Sequence, residues 1–240
     1  MTHAERDVVI EEHPRMLARF AAASIVGFAR ALTGVRAIWL SSGPQAAPTV
    51  YFANHRSHGD FVLLWTSLPP DLRPLTRPVA AADYWLSSKL RRFIGCGVFR
   101  SVLIERSGAI ERNGSIERSG ASPDRDPIAQ MAAVLEAGDS LILFPEGTRN
   151  ESDEVVLAFK SGLFHLSRRC PQVRFVPVWI NNVHRVLPKG AIVPLPIACS
   201  VTFGAALAGN AGTEPEEKQS FLDRARSALI ALRPDYERED

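Results

Sequence analysis

Ser140-Leu141-Ile142-Leu143-Phe144-Pro145-Glu146-Gly147-Thr148-Arg149 opens with a continuous apolar strand, Ser140 to Phe144, that stops in a charged, glycine-containing turn. A strand apolar on both faces belongs in a sheet covered on both sides, as parallel sheets are. Its neighbours extend the pattern. Ile128 to Ala137 reads as a helix closing at Gly138, Leu157 to Arg169 as a second helix, and Arg174 to Ile180 as the next strand. Upstream, Arg36 to Leu40 and Thr49 to Ala53 read as strands across a turn that contains Gly43 and Pro44. Asp60 to Leu68 is a mostly buried helix stopped by Pro69-Pro70. A connection to Pro78 leads into a strand at Val79 to Ala82, a helix at Tyr84 to Ile94 and a strand at Val98 to Ile104. A late strand covers Ala198 to Phe203. The last helix opens at Pro215, runs to Leu232, and buries Phe221, Leu222, Ala225, Ala228, Leu229 and Leu232. Alternating strands and helices predict an α/β fold: a mixed, mainly parallel sheet covered by helices on both faces, with an N-terminal amphipathic helix.

The bulk numbers suit this reading. The 240 residues fit one α/β domain, 37–240, preceded by a segment, 1–36. A hydrophobic share of 46% supplies a core, and a net charge of +2 carries no nucleic-acid footprint. Cys96, Cys170 and Cys199 stand apart, as buried reduced thiols do in a cytosolic protein, with no spacing for a disulfide frame or metal. Met1 to His13 is polar and lacks a signal-peptide pattern. In the helix that follows, Leu17, Ala21, Ile25, Phe28 and Leu32 share one face, with Arg15, Arg19 and Arg30 on the other side. The charge-free stretch between Arg19 and Arg30 is ten residues, short of the roughly 20 that span a bilayer. A basic amphipathic helix of this kind lies in an anionic membrane interface or packs on its own domain. Ile104 to Ala121 repeats the hexad Ile-Glu-Arg-Ser/Asn-Gly-Ala/Ser three times. It reads as a surface loop enlarged by duplication.

Two strand ends carry the chemistry. In Asn54-His55-Arg56-Ser57-His58-Gly59-Asp60 an imidazole follows a strand, and a carboxylate stands where it could hold the ring's other nitrogen. Such a pair is a general base. Ser57-x-x-Asp60 is also a capping-box pattern for the next helix, and the two roles are compatible. His55, His58 and Asp60 lack the spacing of a hydrolase metal loop, so no metal is expected. In Phe144 to Arg149, Gly147 permits close backbone approach, and Arg149 suits a planar anion. Glu146 can accept from ligand hydroxyls or hold Arg149. A solvated charged turn is the plain alternative. Arg106, beyond the strand ending at Ile104, and Lys160 add positive charge at the same crest.

Together these blocks resemble the glycerolipid acyltransferase family, whose best-known members are the 1-acyl-glycerol-3-phosphate acyltransferases. Val102 to Arg106 resembles the family's second block, and Val176-Pro177-Val178 its fourth. The resemblance covers roughly residues 30 to 205. It implies that His55, assisted by Asp60, deprotonates a lysophospholipid hydroxyl, which then attacks the thioester of acyl-CoA or acyl-carrier protein. It also implies that Glu146, Gly147, Thr148, Arg149, Arg106 and Lys160 bind the acceptor. No cofactor, metal or acyl-enzyme is implied, and no nucleic-acid partner. The expected location is the cytoplasmic face of the cell membrane, monotopic or peripheral, in phospholipid biosynthesis. A catalytically silent lipid-binding protein and an acyl thioesterase are the competing readings. Two positions depart from the family pattern: Gly59 replaces a usual bulky residue, and Arg100 stands where the second block often begins with glycine.

Overall fold

The computed structural model describes residues 3–41, 43–105, 126–186, 195–207 and 216–234. In chain order it runs α1 (His3–Thr33), β1 (Arg36–Trp39), β2 (Thr49–Ala53), α2 (Asp60–Ser67), β3 (Thr76–Ala81), α3 (Ala82–Trp85), α4 (Lys89–Arg92), and a π-helical turn Phe93–Val98. It continues with β4 (Val102–Ile104), α5 (Pro127–Glu136), β5 (Ser140–Leu143), α6 (Gly162–Arg169), β6 (Arg174–Asn181), α7 (Val183–Val186), β7 (Ser200–Phe203) and α8 (Lys218–Ile230). The sheet order is β1-β7-β6-β2-β5-β3-β4. All its pairings are parallel except β6 with β7, which is antiparallel. The mixed, mainly parallel α/β architecture is therefore the one the residue pattern predicts.

Period-two alternation sorts each central strand between two cores. Tyr51, Ala53, Ile142, Val176, Val178 and Ile180 face α1 and α2. Val50, Phe52, Leu141, Phe175 and Trp179 face α5, α6 and α8. Strand β2, in the middle, is buried at every position. Helix α8 buries Phe221, Leu222, Ala225 and Leu229 as expected, whereas Ala228 and Leu232 stay half-buried at its rim. The expected opening at Pro215 lies outside the described residues.

Four expectations are corrected. Strand β3 starts at Thr76 and runs through Pro78, because that residue sits where the ladder changes partner: Thr76–Pro78 pairs with β5 and Val79–Ala81 with β4. A missing N–H costs little at such a switch. Strand β4 is only Val102–Ile104, since Arg100 takes a φ of 52°, held by its guanidinium on the Pro74 carbonyl at 2.7 Å. The expected helix at Tyr84 to Ile94 is broken into α3, α4 and the π turn, with Ser88 capping α4 through its hydroxyl. Cys96 lies in that turn and is exposed, unlike Cys170 and Cys199.

Helix α1 also packs differently. Its buried stripe is Val26 and Ala29 flanked by Ala18, Ala21, Ala22, Ile25 and Leu32, a face rich in alanine that lies against the π turn and α2. Leu17 and Phe28, expected on that stripe, project outward with Met16 and Phe20. Arg15–Thr33 is 19 residues with a mean hydropathy of 1.3, long and apolar enough to cross a bilayer by those measures alone.

Candidate active site

Strands β2 and β5 are hydrogen-bonded neighbours running the same way, so their carboxyl ends deliver His55 and Glu146 side by side. Ligand crevices of open α/β sheets form at this crest. The chain leaves β2 in a fixed direction because Asn54 replaces the ladder to β6. Its amide donates to the Ile180 carbonyl at 2.9 Å and its Oδ1 accepts the Ile180 N–H at 2.8 Å. His55 is then clasped through its own backbone. Its N–H donates to Glu146 Oε1 at 2.8 Å, and its carbonyl accepts the Asn150 N–H at 2.6 Å. The imidazole stacks on Phe144, centroids 4.2 Å apart and planes inclined by 20°. Its side chain keeps 20% exposure, enough to meet a substrate.

Asp60 opens α2 directly beneath the ring and is 1% exposed. Burying a carboxylate requires donors, and three converge on Oδ2: His55 Nδ1 at 2.8 Å, Arg56 N–H at 2.7 Å and Ser57 N–H at 2.8 Å. A carboxylate accepts only, so Nδ1 carries the proton and Nε2 is left as the basic nitrogen. The capping box forms by half: Asp60 takes the Ser57 N–H, while Ser57 Oγ accepts from Gly59 at 3.2 Å. Gly59 fits because a Cβ there would stand 3.3 Å from Val183 Cγ2.

Glu146 is 1% exposed, with Oε2 accepting the Leu157 N–H at 2.8 Å opposite the His55 bond. Burial raises its carboxyl above the ordinary range, against the lowering effect of the two N–H donors. It is a brace between the His55 loop and Val155–Phe159. It does not hold Arg149, which pairs with Glu151 at 3.4 Å. This bracing also corrects the helix expected from Leu157. The Leu157 N–H goes to Glu146 and the Lys160 N–H to the Pro145 carbonyl at 2.8 Å, so α6 begins only at Gly162.

Gly147 and Thr148 form the exposed lip of the turn, and Gly147 has a φ of 71°, which glycine adopts freely. The Lys160 side chain lies across it, its Cγ 3.1 Å from where a Cβ would stand. Burial first, then the Arg149 and His55 charges, hold the His58 imidazole below its usual value. His58 stacks on Tyr84 at 5.6 Å, and Arg91 lies over the Tyr84 ring at 4.5 Å. The structure thus gathers His55, Asp60, Glu146, Gly147, Thr148, Arg149 and Lys160, while Arg106 lies outside the described residues. Sequence reasoning gave no role to Asn54, Phe144 or Asn150. A buried asparagine beside the histidine was the available signal for the first. Among the described residues no three His, Cys, Asp or Glu side chains gather as a metal site would require.

The sequence model described as Acyltransferase matches residues 38–181. The crystal structure of the 1-acyl-sn-glycerophosphate (LPA) acyltransferase PlsC from Thermotoga maritima superposes with a TM-score of 0.59 at 18% identity, covering 90% of this chain and 82% of that one. No curated protein matches the sequence.

Proposed function

The chain belongs to the acyltransferase family, and on that premise we propose that it moves a fatty acyl group from acyl-CoA or acyl-carrier protein to the hydroxyl of a lysophospholipid, 1-acyl-glycerol-3-phosphate foremost. The observation that carries this reading is the 2.8 Å bond from His55 Nδ1 to the buried Asp60 carboxylate. In this scheme Nε2 takes the acceptor's hydroxyl proton as the oxygen attacks the thioester carbonyl. The C–O bond forms, the C–S bond breaks, and the departing sulfur receives the proton from His55. Asp60 stabilises the transient imidazolium and fixes the ring, the division of labour familiar from catalytic dyads. Arg149 and Lys160, flanking the Gly147-Thr148 lip, bind the acceptor phosphate, Arg149 by its planar fork. Glu146 acts through His55 and does not touch substrate.

The acceptor is a lipid, so the enzyme works at the cytoplasmic membrane face as a peripheral or monotopic protein, within phospholipid synthesis. What supports this is α1: one side packs on the domain, and Met16, Leu17, Phe20 and Phe28 face outward. A helix seated along its own domain is better placed to lie in the interface than to span. Thiol release from acyl-CoA, measured with and without a lysolipid panel, tests the reaction. Release should require an acceptor and vanish in His55→Ala. Release independent of any acceptor would replace the transferase with a thioesterase, and full activity in the variant would remove the base.

A further inference from the structure

The segment between β3 and the π turn is unusual for what it leaves in water. Tyr84, Leu86 and Leu90 are exposed, Leu86 by 45% and Leu90 by 67%. Lys89, Arg91 and Arg92 are exposed among them, against the one acid Asp83. The segment is held in this shape. Trp85 is folded inward against Gly95, where a Cβ would stand 2.8 Å from its ring, and packs edge-on to Phe61 at 5.8 Å. Ser87 Oγ donates to the Tyr84 carbonyl at 2.7 Å and accepts from Arg91 at 2.9 Å, and Ser88 caps the Arg91 N–H at 3.2 Å. Leu86 and Leu90 therefore project because the fold turns the half-buried Trp85 the other way.

Two neighbours say what covers these side chains. Tyr84 stacks on His58, three positions from His55, so the patch borders the crest of the site. The π turn that follows packs Phe93 and Ile94 against the same core cluster as α1. That turn packs against α1, whose Met16, Leu17, Phe20 and Phe28 are likewise exposed. Apolar knuckles ringed by cations match an anionic bilayer, which accepts the leucines and attracts the charges.

We propose that Tyr84–Arg92 is a second membrane-contact element, independent of α1, that docks on anionic lipid and sets the mouth beside His55 against the bilayer. This deepens the acyl-transfer reading and rests on it only for the purpose of the docking. Binding itself is measured without turnover.

The test uses the full chain and vesicles of phosphatidylcholine alone or equimolar with phosphatidylglycerol. Lys89→Gln/Arg92→Gln should lose about thirtyfold in partition onto the anionic vesicles, from two interfacial cations, with little change on the neutral ones. Leu86→Ser/Leu90→Ser should lose about tenfold or more on both. His55→Ala should bind like the parent, and both patch variants should turn over a monomeric short-chain lysolipid at the parental rate. Unchanged partition of both patch variants would overturn the proposal while leaving acyl transfer untouched. So would unchanged partition with a raised KM for an acyl-carrier-protein donor, which would assign the cations to a protein partner.

Discussion

Replacing Glu146 distinguishes a brace from a substrate grip. Its two oxygens accept the His55 and Leu157 N–H groups, each at 2.8 Å, in a place 1% exposed. Glu146→Ala leaves two buried donors unmet at about 1–3 kcal/mol each. Part of this is offset because a carboxylate no longer has to be desolvated. A net loss of about 2–4 kcal/mol should lower the melting temperature by about 5–15 °C at this chain length. The His55 loop relaxes as well, and a misplacement near 1 Å costs about a hundredfold in kcat. The acceptor KM should stay within about twofold of the parent, because uniform binding is not what was removed. Burial raises the Glu146 carboxyl above its ordinary 4.5. Between those values the folded chain keeps a proton that the unfolded chain has released. This contribution to stability is therefore whole below the ordinary value and lost as pH rises through the raised one. Glu146→Gln cannot titrate, so the parent's melting advantage over it should shrink as pH climbs through that window. Thermal melts across pH, with steady-state kinetics on the same preparations, provide both readouts. An unchanged melting temperature with a tenfold rise in acceptor KM would refute the brace.

Asp60→Asn keeps the shape but removes the charge that the imidazolium needs. kcat/KM should fall by about 10²–10⁴, and activity within threefold of the parent would exclude a catalytic dyad. Arg149→Ala should act mainly on acceptor KM, about tenfold or more for a phosphate-bearing lysolipid; an equal loss with a phosphate-free acceptor would deny it the phosphate. Gly95→Ala drives a methyl to within 2.8 Å of the Trp85 ring and should cost about 1–3 kcal/mol, read as a lower melting temperature. An unchanged melt would show that Trp85 is not locked.

The strands that proved easiest to read are those with both faces covered. Thr49–Ala53 and Ser140–Leu143 are apolar after an opening hydroxyl residue and stop near a polar residue or a proline, so their place and parallel pairing follow from composition, with β5 ending one residue before the expected Phe144. The His55–Asp60 spacing was legible for a related reason: the partners are joined by one local turn, and nothing distant decides whether they meet. Where distant groups decide, the reading failed. Pro78 looks like an interruption until the partner switch beneath it is known. Leu157–Lys160 has helical periodicity, but its N–H groups are taken by Glu146 and Pro145. Glu146 itself reads as a surface acid in a charged turn, and only the backbone of a loop 91 residues away reveals its use. Helix α1 shows the limit of periodicity. The wheel correctly finds a stripe but cannot tell whether large or small residues face the domain, and Leu17 and Phe28 went to the wrong side.

The central position of β2 also governs when the protein acquires its chemistry. Its two ladder partners, β5 and β6, both lie later in the chain, and β6 ends at Asn181. Until β6 has been made, β2 lacks one of its two ladder partners, Asn54 has no Ile180 to grip, and nothing fixes how His55 leaves the sheet. Closing such long loops is slow compared with forming a helix. During synthesis, then, α1 leaves the ribosome well ahead of a fixed His55, and a nascent or truncated chain ending before β6 should lack activity. Refolding should show the same delay, with helical content returning before turnover does.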